Sequence, residues 1–232
     1  MALIDTVAKD VHNFLQENKN RPFMNERDLQ MHLAIALKNS GNNYDKVEVE
    51  YYVPLKALGK PYVWNNEMKV DIVVKKDDEF IPIELKYKTK AIGKAKTAKT
   101  KKSKAKNAKK DIERFGEVLK NVVIIKDQSA QNLAKYDFWK DVRRIELLEK
   151  RFKAVTGGLV LFMTNDPSYQ REPKEHSLSY THSIEGGEHG PVRKALSDER
   201  IQFRLRQNYT IEWSADLDKN NPNQFEYILL KA

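Results

Sequence analysis

The stretch VDIVVKKDDEFIPIELKYK, residues 70–88, decides how this chain reads. Two short runs rich in Val and Ile, Val70–Val74 and Phe80–Ile83, flank the polar turn Lys75-Lys76-Asp77-Asp78, and this pattern predicts two β-strands. Side chains at i and i+2 of a strand share a face. Glu84 and Lys86 therefore project together, while Ile81, Ile83, Leu85 and Tyr87 project to the other side and read as core. Asp71 likewise opposes Val70 and Ile72. If the strands pair as a hairpin, two carboxylates and an ammonium converge. Two hard oxygen donors suit Mg²⁺, and a neighbouring lysine suits orienting a water or stabilising phosphate charge.

Glu-x-Lys alone is a weak signal, because the same spacing recurs at Glu17–Lys19 and Glu67–Lys69. Charged residues on the outer face of an amphipathic strand usually meet water. The conjunction carries more, and it includes an acid upstream. Asn25 reads as the N-cap of a helix whose apolar positions are Leu29, Leu33, Ala36 and Leu37, with Gly41 just past its end. Glu26 opens that helix, where an acid also suits the helix dipole.

Helix with Glu, strand, strand with Asp, strand with Glu-x-Lys is an order that resembles the PD-(D/E)xK nuclease superfamily. The blocks NERDLQMHLAIAL (25–37), VEVEYYVPL (47–55), VDIVV (70–74) and IPIELKYKTK (81–90) resemble a bacterial group of small restriction-endonuclease-like proteins. DQSAQNLAKYDFWKDVRRIELLE (127–149), GGLVLFMTND (157–166) and FEYILL (225–230) do so too. Val70 stands where the motif has Pro before Asp71. The resemblance implies one α/β domain over residues 1–232. It implies a restriction-endonuclease-like αβββαβ core, its mixed sheet flanked by helices, with added C-terminal strands. It implies a Mg²⁺-dependent endonuclease acting on DNA in restriction, defence or repair, with Mn²⁺ as a substitute and RNA left open. Asp71, Glu84 and the Leu85 carbonyl would ligate the metal, Lys86 would position or activate the attacking water, and Glu26 would bind the metal's water shell or a second ion. In some related nucleases a Gln on the corresponding helix sits near the metal site. Gln131 is the counterpart here, although its spacing to Tyr136 departs from that motif.

The net charge is +9, and it is localised. Twelve lysines and no acid lie between Lys86 and Lys110. The segment from about 91 to 110 reads as a low-complexity insertion. Its Lys94, Lys96, Lys99, Lys101, Lys102, Lys104, Lys106, Lys109 and Lys110 are suited to gripping phosphates without reading sequence, or to plain solvation. It has no aromatic residue on which to stack bases. A helix at Asp111–Lys120 and a short strand at Asn121–Ile125 are expected to follow.

The chain has no cysteine, hence no disulfide and no thiolate metal site or nucleophile. Neither a signal peptide nor an apolar run near the roughly 20 residues of a membrane span is evident, so the expected compartment is the cytoplasm, and a homodimer is compatible. Elsewhere we expect a helix at residues 3–17 and a strand at Val47–Val53. Glu50 in that strand reads more readily as solvated than as a site residue. A long helix is expected from Gln131 to Phe152, with Lys135, Lys140, Arg143, Arg144 and Arg151 in a DNA groove or on a solvated face. A buried strand at Leu159–Met163 and two further sheet strands, Tyr209–Trp213 and Phe225–Leu230, complete the reading. His176, His182 and His189 read as loop histidines without ligand partners. The rival to an enzyme is a non-catalytic nucleic-acid-binding protein that retains the fold; a structural partner protein is a third reading.

Overall fold

A computed structural model describes the chain except residues 20, 60, 61, 65, 66, 93–124, 126, 129, 178, 179 and 199. The lysine-rich segment and the expected helix at 111–120 lie outside the described residues. So does the expected strand at 121–125, apart from Ile125, which bridges Ile92.

The described chain is α/β, built on a mixed five-stranded sheet. Two helices, α1 (Leu3–Asn18) and α2 (Glu26–Lys38), precede β1 (Lys46–Val53). The short α3 (Leu55–Leu58) leads to β2 (Met68–Lys76) and β3 (Glu79–Lys88). Helix α4 (Gln131–Arg151) follows, then β4 (Leu159–Thr164). Strands β5 (Gly187–His189), β6 (Val192–Arg193), β7 (Phe203–Arg204), β8 (Tyr209–Ile211) and β9 (Glu226–Lys231) complete the chain. Sheet order is β1-β2-β3-β4-β9; β3 and β4 run parallel and the other neighbours antiparallel.

One face of the sheet is closed by α1 and α2. Val7, Val11 and Phe14, at helical spacing on α1, meet Leu29, Leu33 and Leu37 of α2 over Ile81, Ile83, Leu85 and Tyr87 of β3. The other face is closed by α4, where Phe138, Trp139, Val142 and Ile145 pack on Val160, Phe162 and Ile228. Gly158 permits this closure. A Cβ there would lie 2.5 Å from the Ile145 side chain and 2.9 Å from the Pro82 carbonyl.

The C-terminal expectation is half corrected. Strand β9 joins the main sheet beside β4; of the expected Tyr209–Trp213, Tyr209–Ile211 pairs with β5 in a separate two-stranded sheet, while Trp213 bridges Ile228 of β9. Tyr209 and Ile211 pack beneath α4 with Trp139, and that burial decides the pairing.

Candidate active site

The site arises where β2 and β3 part. Their ladder runs from Lys76↔Glu79 to Ile72↔Ile83 and stops, although Asp71 and Glu84 come next on each strand. From Ile83 onward β3 pairs with β4 on its opposite edge, through to Lys88↔Thr164. Beyond the fork, the β3 amides facing β2 have no strand carbonyl, and a buried amide needs an acceptor. Two carboxylates supply one. The Leu85 N–H donates to Asp71 Oδ2 at 2.7 Å, and the Tyr87 N–H donates to Glu26 Oε2 at 2.9 Å. The fork thus turns two acids from distant segments toward one strand edge.

Local structure fixes each acid. Asn25 caps α2 through a hydrogen bond from the Asp28 N–H at 2.9 Å, which sets Glu26 in the first turn. The Tyr87 hydroxyl ties the approach to this helix, accepting from the Phe23 N–H and donating to the Phe23 carbonyl, both at 3.0 Å. Gln30, one turn on from Glu26, donates to the Asp71 carbonyl at 2.7 Å and to Glu50 Oε1 at 3.2 Å. Glu50 stands at φ +53° in β1, a conformation that costs a non-glycine residue of order 1–3 kcal/mol. This turns its carboxylate into a cleft of about 360 Å³, walled by Glu26, Arg27, Glu50, Asp71 and Lys88. Glu50 is exposed, as a solvated strand residue would be, and it also lines the cleft.

Glu84 and Lys86 lie behind Asp71, beneath α4. They share a face, as the alternation requires, but that face is covered. Glu84 is 2% exposed, and its Oε1 lies 3.3 Å from Arg144 Nη1. Lys86 Nζ lies 2.5 Å from Asp141 Oδ2 and donates to its neighbour's carbonyl, Leu85 O, at 2.9 Å. Arg144 in turn donates to Asp141 Oδ1 at 3.0 Å, one helical turn back. The result is an alternating row, Glu84–Arg144–Asp141–Lys86, in which each acid lies beside a cation. Asp71 and Glu26 are left over, the latter with Lys88 Nζ at 3.7 Å.

Burial raises the Asp71 carboxyl to about 6, against the pull of the Lys86 ammonium and the Leu85 N–H. Burial also holds Glu84 well above the usual carboxylate range, with Arg144 opposing it. Burial alone would lower Lys86, yet Asp141, Glu26, Glu84 and Asp71 together raise it above the usual lysine range. Lys86 is therefore a fixed cation, not a base in waiting.

The donor chemistry fits a hard divalent cation. Asp71 lines the cleft, and the buried Glu84 Oε1 has no hydrogen-bond partner among the described residues. In this conformation, however, no group of three or more His, Asp or Glu side chains among the described residues is placed to hold a metal. A guanidinium stands beside Glu84 instead.

Sequence reasoning missed Asp141, Arg144 and Gln30. It gave Arg144 to a groove or to solvent, and Lys135 likewise, whereas the Arg144 side chain is 12% exposed on Glu84 and Lys135 is buried. Gln131 donates to Asp166 Oδ2 at 2.7 Å, beside the Asp166–Lys90 pair, rather than to Asp71 or Glu84. His182 is fully buried against the Tyr136 ring, a core histidine rather than a loop one. A second cleft, of about 300 Å³ and lined by Tyr51, Val70, Phe80, Leu148 and Phe152, is apolar and offers no chemistry.

Among the described residues no helix is long and apolar enough to cross a membrane. Comparison of the chain with family models, with curated proteins and with solved structures finds no match.

Proposed function

We propose that the chain is a divalent-metal-dependent endonuclease of the restriction-endonuclease-like class, hydrolysing phosphodiester bonds in DNA. The observation that carries this reading is the fork. Asp71 on one strand accepts from the N–H of Leu85, which stands between Glu84 and Lys86 on the next, where the ladder opens, within the chain order α2, β1, β2, β3, α4, β4. Mg²⁺ held by Asp71 and Glu84, or Mn²⁺ in its place, would supply Lewis-acid stabilisation of charge on the phosphoryl oxygens.

The chain's own groups do the rest. Lys86, kept protonated, places a positive charge beside the attacked phosphate and orients the water whose oxygen forms the new P–O bond as the ester oxygen leaves. The Leu85 carbonyl and Asp141 hold that ammonium in place. Glu26 accepts from β3, and its carboxylate lines the cleft. The lysines from Lys94 to Lys110 grip flanking phosphates without reading sequence.

The pairing of Glu84 with Arg144 favours a second reading, a nucleic-acid-binding protein that keeps the fold without cleaving. A cleavage assay separates them. Supercoiled plasmid and single-stranded DNA are incubated with Mg²⁺ or Mn²⁺ and with wild type, Asp71→Asn or Lys86→Gln. Wild type nicks or cuts, and each variant loses about two to three orders of magnitude in rate, as expected when charge stabilisation of a transition state is removed. Equal residual cleavage by all three overturns the assignment. Salt-sensitive binding with no cleavage by wild type establishes the second reading.

A further inference from the structure

We propose that Arg144 is the internal counter-ion of Glu84, and that guanidinium and divalent cation occupy this carboxylate alternately. The inference rests on the metal-dependent reading above and adds the residue that gates it.

Three features of the pair carry it. Glu84 is buried, so its charge needs a partner whenever it is ionised. Arg144 supplies that partner by charge alone: Nη1 lies 3.3 Å from Oε1, yet Oε1 and Arg144 Nε both lack a hydrogen bond among the described residues. The hydrogen bonds of Arg144 go elsewhere, to Asp141 Oδ1 at 3.0 Å and to the Lys69 carbonyl at 3.4 Å. Its grip is thus firm on its own helix and loose on Glu84. It can leave the carboxylate while Asp141, three residues back on α4, still holds it.

Arginine cannot step aside by losing a proton, as a buried lysine can. A cation arriving at Asp71 and Glu84 therefore meets a fixed positive charge and must move it. Two positive charges about 4 Å apart repel strongly in a partly buried site, so removal of Arg144 should tighten cation binding at least about tenfold.

The test is calorimetric titration of MnCl₂ into the full-length protein, with thermal melting alongside. Wild type is compared with Arg144→Gln, Arg144→Lys and the double variant Glu84→Gln/Arg144→Gln. Arg144→Gln is expected to bind Mn²⁺ about tenfold or more tightly than wild type, and to gain more thermal stability from it. Arg144→Lys, without the planar fork, should fall between them, and the double variant should lose the gain. If Arg144→Gln folds only when Mn²⁺ is present, the same competition is being read as stability. Equal Mn²⁺ affinity in wild type and Arg144→Gln overturns the counter-ion role while leaving the metal reading intact. So does an Arg144→Gln variant that stays unfolded at saturating Mn²⁺ while Arg144→Lys binds no better than wild type. No Mn²⁺ binding by any protein overturns both.

Discussion

The two faces of β3 are made from alternate residues of one strand, and they are held by different physics. Toward α1 and α2, Ile81, Ile83, Leu85 and Tyr87 enter a cluster of apolar side chains. Toward α4, Glu84 and Lys86 enter a row of paired charges, and that side also buries Lys135, Asp141, Glu146, His182 and Arg193. Apolar burial is cheap and pH-independent, whereas burying ions is costly unless each is paired. A structure that spends its sheet on the second arrangement spends it where the carboxylates of the fork lie. The difference is that on its α4 side β3 buries charge, held in pairs, whereas on its α1–α2 side it buries only apolar groups.

The sharpest way to break this comparison is to unpair the α4 face. Lys86→Ala leaves Asp141 buried without its ammonium and should cost about 4 kcal/mol, as much as a core truncation such as Leu85→Ala on the other face. Lys86→Met with Asp141→Leu replaces the pair by apolar groups and should recover most of that loss, to within about 1 kcal/mol of wild type. Urea denaturation of the four proteins decides it. A double variant no more stable than Lys86→Ala would show that Lys86 contributes by packing rather than by charge.

A smaller effect separates the faces by pH. Burial lowers the His182 imidazole from 6.5 to about 4, with the Arg193 charge acting in the same direction. Its folded pKa lies below the unfolded one, so its contribution is present above pH 6.5 and is lost as pH falls toward 4. The loss should reach about 3 kcal/mol. His182→Leu should flatten the stability profile in that window. An unchanged slope would mean that the ring is charged inside the fold.

Most of the fold was legible because it is written in local patterns. The Val and Ile alternation of β2 and β3, the i, i+4 stripe of α1, the Asn25 cap and the unbroken apolar run of β4 each declare themselves within about ten residues. The site was legible only as residue types on strands. Asp71, Glu84 and Lys86 could be named because alternation sets their strand positions, but what covers them could not. Asp141 and Arg144 lie more than fifty residues downstream of Lys86, on a helix whose charges read equally well as solvated. That Glu50 lines the cleft was not legible, because a left-handed residue within a strand leaves no mark in the sequence. The pairing of Tyr209–Ile211 was misassigned because three apolar-alternating residues fit either sheet.

Whether the fork between β2 and β3 takes a divalent cation is decided by anomalous diffraction from crystals grown with Mn²⁺. The expected result is a peak bonded to both Asp71 and Glu84, at the distance of about 2.1 Å typical of a small hard cation, with Arg144 withdrawn from Glu84 and still on Asp141. A peak only elsewhere, or no peak with the Arg144–Glu84 pair intact at saturating Mn²⁺, would contradict it.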